Sequence, residues 1–311
     1  MKYLVTGGAG FIGSNLCRRL LSEDHQVICL DDLSTGKKSN IVELENSSDF
    51  FFVKHDLTKP YFPEDIDGIF NLACPASPVH YQYNPIRTLK MGTLAMYNVL
   101  GMAAKFKVPI LQASTSEIYG DPKEHPQSES YWGHVNPIGP RACYDEGKRV
   151  AEALCMAYRN HSSVDIRIAR IFNTFGPYMD VDDGRVISNF VVQALRGLPL
   201  TVYGDGTQTR SFCYVDDLVD GLIRLMSSNF QEPVNLGNPI EFTILDLVKK
   251  IEEKLGVNLE VSFKPLPGDD PTRRCPDISL AREILHWEPA TEFEVGLEKI
   301  IKWFGEGSDK L

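Results

Sequence analysis

The chain has 311 residues, 43% hydrophobic and 24% charged, which excludes a disordered or collagen-like polymer and leaves enough apolar side chain for one large or two closely joined domains. Lys plus Arg number 32 against 42 Asp plus Glu, and the net charge of −10 repels polyphosphate backbones and anionic bilayers, so neither a nucleic-acid nor a membrane partner is expected. The seven cysteines include no C-x-x-C pair and read as reduced packing residues, and the seven histidines show no H-x-x-x-H spacing, so no metal site is expected. Met1 runs almost at once into a strand pattern, without room for a signal peptide, and no apolar stretch reaches membrane-spanning length. The expected location is cytoplasmic.

Short β-branched runs alternate with helical patterns through the first half. Residues 2–5 read as strand one, 13–22 as a helix, 27–30 as strand two, 51–54 as strand three and 68–72 as strand four. A long helix over 89–106 leads to strand five at 109–112; a loop rich in Pro, Gly and His spans 120–140, followed by a helix over 142–159 and strand six at 164–171. Beyond Asn173 the elements become shorter, apart from amphipathic helices at 244–255, ended by Gly256, and at 295–304. The reading is an α/β fold, a doubly wound parallel (Rossmann) sheet in 1–173 with a smaller C-terminal α/β substrate-binding region in 174–311, part of 207–236 returning to the first domain.

Strand one enters Thr6-Gly7-Gly8-Ala9-Gly10-Phe11-Ile12-Gly13. Gly7 suits a tight strand-to-helix turn, Gly10 close approach of a pyrophosphate and Gly13 packing of the helix on the sheet, with the helix N-terminus facing the phosphates. Strand two ends in Asp31-Asp32, near the spacing at which a carboxylate accepts hydrogen bonds from the adenosine ribose. A carboxylate there repels the extra phosphate of NADP. NAD is therefore expected on Asp31, with Lys37 and Lys38 keeping NADP as the alternative. Phe11, Ile12, Asp32 and Leu72 complete the expected cofactor contacts, and Asp56-Leu57 flank the adenine or simply form a solvated loop.

Tyr144 and Lys148 stand four residues apart on one helix face. A free phenol, with a pKa of about 10, is a poor base at neutral pH, and a nearby ammonium favours the phenolate. Together they form a proton-transfer device for oxidising an alcohol beside a nicotinamide. Strand five ends in Ala113-Ser114-Thr115-Ser116-Glu117-Ile118-Tyr119-Gly120, and Tyr144 follows on the next helix. The glycine triplet, the Ser/Thr after strand five and Tyr144-x-x-x-Lys148, in this order, resemble the extended branch of the short-chain dehydrogenase/reductase superfamily. The segments 170–177 and 208–217 are similar to its nucleotide-sugar motifs.

Within that branch Pro75-Ala76-Ser77-Pro78, the stretches 114–122 and 131–148, and Asp269-Asp270-Pro271-Thr272-Arg273-Arg274 resemble the UDP-glucuronate decarboxylases (UDP-xylose synthases), with Cys74 where Ser is expected and Met91 in place of a polar residue. The chemistry agrees with that resemblance. A uronic acid loses carbon dioxide readily only when a C4 ketone makes it a β-keto acid, so hydride leaves C4, carbon dioxide leaves C5, C5 is protonated and hydride returns. The resemblance implies Tyr144 as base at the 4-hydroxyl, Lys148 on the nicotinamide ribose and Thr115 on the reacting oxygen. It further implies that Ser116, Glu117 and Arg274 act around C5 and the carboxylate, and that Lys90, Asn173, Arg185, Tyr203 and Arg210 hold the UDP portion. Arg273 competes with Arg274. The rival readings are a nucleotide-sugar C4-epimerase, a 4,6-dehydratase and a non-catalytic NAD-sensing or scaffold protein. A homodimer through a four-helix bundle is expected from related enzymes, with Ala95, Val99, Met102, Ala151, Leu154 and Cys155 as candidate contacts, ordinary burial within one chain being the alternative for them.

Overall fold

The computed structural model describes residues 1–269, 271 and 273–306; Asp270 and Thr272 of the expected 269–274 motif lie outside the described residues. Strand β1 (Lys2–Thr6) leads through the glycine turn to helix α1 (Phe11–Ser22), then β2 (Gln26–Asp31), β3 (Phe50–Lys54) and β4 (Gly68–Asn71). Two short helices, α2 (Pro78–Tyr83) and α3 (Pro85–Lys90), precede α4 (Met96–Phe106) and β5 (Ile110–Thr115); the long α5 (Ala142–Ser162) then delivers β6 (Ile166–Ile171).

The second half begins with β7 (Thr174–Phe175), α6 (Val186–Leu195), β8 (Leu200–Tyr203), β9 (Thr209–Ser211) and β10 (Cys213–Tyr214). Helix α7 (Val215–Ser227) and strand β11 (Pro233–Leu236) follow, then β12 (Glu241–Thr243), α8 (Ile244–Leu255), β13 (Val261–Lys264), β14 (Arg273–Arg274), α9 (Ser279–Leu285) and α10 (Phe293–Gly305).

Seven parallel strands form the central sheet in the order β11-β6-β5-β4-β1-β2-β3. Its strands are apolar on both faces because helices cover both. In β1 the period of two sends Tyr3 and Val5 to the core under α1 and α7, and Leu4 to the opposite core under α4 and α5. The order reverses between β1 and β4, and the crevice outside the carboxyl ends of these strands is where an open α/β sheet takes its ligand. The smaller layer beside it carries the three-stranded sheet β12-β9-β14 and the pair β13-β8. Thr243 and Asp246 form a reciprocal capping box at the start of α8, and Gly256 ends that helix in the left-handed region.

Two expectations change here. The helix over 89–106 is instead α3, a wide turn at Met91–Ala95 and α4. The backbones at Gly92 and Gly147 approach so closely that a Cβ on Gly92 would stand 2.4 Å from the Gly147 oxygen, and α3 packs against α5 at this point. The candidate dimer contacts Ala95, Val99, Met102, Ala151 and Cys155 are buried within one chain and Leu154 is half-buried, because the sheet face already takes that stripe. The outward apolar residues of the 89–106 and 142–159 stretches include Leu89, Leu94, Tyr97 and Val150.

Candidate active site

The glycine turn is made by close approaches of the chain's own backbone. Gly7 has φ +68°, and a Cβ there would stand 2.8 Å from the Ala73 nitrogen; a Cβ on Gly13 would meet the Gly7 oxygen at 2.1 Å. Helix α1 has no side-chain cap and no acidic residue in its first turn, so its leading amides and positive dipole end remain for an anion. Gly7, Gly10, Phe11, Ile12 and Gly13 all line the cleft.

At the end of β2 the buried Asp31 carboxylate accepts from Ala9 N at 3.0 Å and Leu33 N at 2.8 Å and still borders the cleft. Burial raises its pKa against the pull of those two amides. Asp32 also borders the cleft, pairing with Arg87 and accepting from Ser34 N at 2.8 Å. The two lysines that kept NADP open are paired as well, Lys37 with Asp180 at 2.8 Å and Lys38 with Glu45 at 2.5 Å. Leu57 and Leu72 line the cleft, whereas Asp56 turns away to accept from Thr58 N and Oγ1 at 2.9 and 2.8 Å.

Tyr144 and Lys148 project from the first turns of α5 toward the end of β5, and both are buried. Lys148 Nζ donates to the Ala113 carbonyl at 2.7 Å and lies 5.8 Å from the centre of the Tyr144 ring. Burial raises the pKa of the phenol above the ordinary value, with Cys74 adding to the rise and the nearby Thr115 hydroxyl and Arg185 opposing it. The expected ammonium-stabilised phenolate is therefore not formed by Lys148 alone. A feature missed in the sequence is Tyr81, whose ring stacks on Tyr144 at 5.0 Å and 6° and fixes its plane.

Behind this pair lies a knot of charge. Arg274, 1% exposed, donates to the Ser116 carbonyl at 2.8 Å and to Glu117 Oε2 at 3.0 Å, and Arg141 donates to the same carboxylate oxygen at 2.6 Å. Burial works to raise the Glu117 carboxyl, but Arg274 and Arg141 outweigh it and hold the pKa at about 2. Arg141 is a second residue missed in the sequence, since an arginine just before a helix carries no distinctive spacing. Asp145, one turn along, has an oxygen without a hydrogen-bond partner; burial and then the charge of Glu117 push its carboxyl up to about 7. Strands β9 and β14 pair in parallel with Arg210 beside Arg274, so both guanidinium groups border the cleft, whereas Arg273 is exposed. Asn173, Arg185 and Tyr203 border it too, Arg185 gripped by both oxygens of Asp183 at 2.5 and 2.6 Å. Lys90 does not reach the cleft: at the outer end of α3, just before the wide turn, its side chain is exposed.

Residues 3–237 match the family model described as NAD dependent epimerase/dehydratase family. The chain belongs to that family. UDP-glucuronic acid decarboxylase 1 of Xenopus tropicalis is 53% identical over 97% of this chain and 72% of its own length, and UDP-glucuronic acid decarboxylase 6 of Arabidopsis thaliana 52% over 96% and 87%. Among solved structures of this epimerase/dehydratase type, the chain is similar to UDP-glucuronic acid 4-epimerase from Bacillus cereus in complex with UDP-glucuronic acid and NAD, with a TM-score of 0.88 and 29% identity over 98% of this chain and 99% of that one.

Proposed function

We propose that this member of the epimerase/dehydratase family is an NAD-dependent decarboxylase that converts UDP-glucuronate to UDP-xylose. The observation that carries the reading is the buried Arg274, paired with Glu117 beside Arg141 in the same cleft that Tyr144 and Thr115 line, which gives a 4-keto uronic acid a cation for its carboxylate close to the proton-transfer pair. The decarboxylase relatives, at 53% identity, support this over the 4-epimerase reading at 29%.

The residues present fit NAD: the glycines close a tight turn that only they can form, the uncapped α1 amides beside it suit the diphosphate, and Asp31 has lone pairs for the adenosine ribose. When bound, NAD accepts the C4 hydride and returns it, and its cationic nicotinamide offsets the burial that keeps the phenol protonated. Tyr144 then takes the proton of the 4-hydroxyl while Thr115 holds that oxygen in line. Lys148, anchored on Ala113, holds the nicotinamide ribose and fixes the distance to Tyr144. Arg274 and Arg210 meet the negative groups of the substrate, Arg274 orienting the carboxylate so that the breaking C5 bond stands over the C4 carbonyl. Ser116 and Glu117 face C5, Glu117 keeping Arg274 and Arg141 in place as an anion. Asn173, Arg185 and Tyr203 hold the uridine diphosphate.

Incubation of the protein with UDP-glucuronate, with products weighed by mass spectrometry, tests the reading. Decarboxylation with hydride return yields UDP-pentose; arrest before return yields a product two hydrogens lighter; epimerisation leaves the mass unchanged and overturns the proposal.

The same reading includes a homodimer in which α4, with the wide turn before it, and α5 from each chain form a four-helix bundle through Leu94, Tyr97 and Val150, which are 50%, 59% and 40% exposed. A monomer in sedimentation at micromolar concentration contradicts it. Among the described residues no helix is long and apolar enough to cross a membrane, and a cytoplasmic location is proposed with the enzyme's nucleotide-sugar substrate in mind.

A further inference from the structure

Outside the cleft, three side chains of metal-binding type converge from segments far apart in sequence. His125, Glu241 and Cys275 each bring one ligand atom to a point where all three atoms lie within 4.8 Å of one another, and none of the three residues lines the cleft. In the present arrangement His125 Nε2 is hydrogen-bonded to Glu241 Oε2 at 2.8 Å, and the Cys275 thiol donates to the Pro239 carbonyl at 3.4 Å.

The supports of these ligands are already organised. The Thr209 hydroxyl donates to Glu241 Oε1 at 2.6 Å, which leaves Oε2 turned toward the other two ligands. The fully buried Gln127 locks Cys275 from both sides, donating its backbone N–H to the Cys275 carbonyl at 2.9 Å and accepting the Cys275 N–H on its side-chain oxygen at 3.0 Å. His125 lies only two residues before that anchor, so two ligands share one support. Cys275 is buried while His125 is exposed, which leaves a fourth position open to water from the solvent side.

We propose that His125, Glu241 and Cys275 form a binding site for a divalent cation of the zinc class, separate from the catalytic cleft. Imidazole, carboxylate and thiolate are the donors that zinc takes, with a water completing a tetrahedron. A tetrahedral site with zinc bond lengths sets its ligand atoms roughly 3.3 to 3.8 Å apart. Entry of the ion therefore parts His125 from Glu241 by about half an ångström and draws the sulfur inward by side-chain rotation. The Cys275 thiol gives its proton to solvent as the metal–sulfur bond forms, and neutral imidazole, carboxylate and thiolate together match the 2+ charge. Because Cys275 directly follows Arg274, an occupied site also stiffens β14.

The test uses the NAD-loaded enzyme after chelator treatment, titrated with Co²⁺ and then Zn²⁺. Supporting results are one ion per chain, a sulfur-to-cobalt charge-transfer band that Zn²⁺ abolishes, and a rise in melting temperature with Zn²⁺. Affinity should fall at least tenfold in Cys275→Ser and in His125→Gln and stay unchanged in Cys74→Ala, which removes the thiol bordering the cleft. Binding weaker than millimolar, equal affinity in the first two variants, or loss in Cys74→Ala overturns the site. His125→Gln alters an exposed side chain and decides the matter alone if Cys275→Ser fails to fold.

Discussion

The two sides of the cleft are made in different ways. The glycine-turn side is mostly main chain: a turn and the free end of α1, with one buried carboxylate beside them, all within the first 31 residues. The opposite side is side chain: Glu117 paired with Arg141 and Arg274, with Arg210 beside Arg274 on the neighbouring strand. A backbone cradle tolerates change in its neighbours but not in its glycines. A side-chain cluster distributes its charge, so removal of one member leaves the others unbalanced inside a low-dielectric wall.

Four changes break or sharpen that contrast. Tyr144→Phe keeps the ring stacked on Tyr81 and removes the ionisable phenol, so bound NAD should be retained while single-turnover hydride transfer falls roughly a hundredfold or more. Arg274→Ala strikes the side-chain cluster: kcat/KM for UDP-glucuronate should drop about ten- to a hundredfold, as for loss of a charged hydrogen bond, with binding of UDP-glucose much less affected. If Arg273→Ala has that effect instead, the buried arginine is not the carboxylate partner.

On the backbone side the effects are smaller. Asp31→Ala should weaken NAD about tenfold in equilibrium titration and NADP less, because the lost carboxylate favours ribose hydroxyls and repels a phosphate. Equal losses would detach Asp31 from the ribose. Asp145→Asn should change how stability depends on pH. The native carboxyl, at about 7, binds its proton more tightly than in the unfolded chain, so the protein loses stability as pH rises from about 4 to 7. The amide removes that loss, and the melting temperature of the variant should exceed that of the wild type by a few degrees at pH 8 and by less at pH 5. An identical difference at both pH values would mean that Asp145 does not titrate in this window.

The contrast also explains what was legible in the sequence. Strand one, the glycine turn and Asp31 are contiguous, and α8 could be read to its last residue because its apolar stripe ends on a glycine. Arg274 could be found only through a resemblance, and its burial against the exposure of Arg273 is a property of strand pairing in β14, two residues long. Arg141, Tyr81 and Asp145 gave no signal, since each becomes part of the site through a neighbour more than twenty residues away or through burial. Lys90 rested on the resemblance alone, and the structure leaves it exposed and off the cleft lining, just before the wide turn at Met91–Ala95. Zinc-type spacing was absent for a similar reason, with His125, Glu241 and Cys275 spread over half the chain.

Strand β11 has a consequence for how this protein comes into being. It completes the central sheet beside β6, yet it is made only after the segments that carry Arg185, Tyr203 and Arg210. A chain growing from its N-terminus thus holds β6 as an exposed edge, with the backbone of Ile168 to Ile171 unpaired, until about 236 residues have been synthesised. The cofactor half cannot close without first letting the substrate half pass, so the two mature together, and a fragment ending near residue 173 should expose a sticky strand edge and aggregate where the full chain folds.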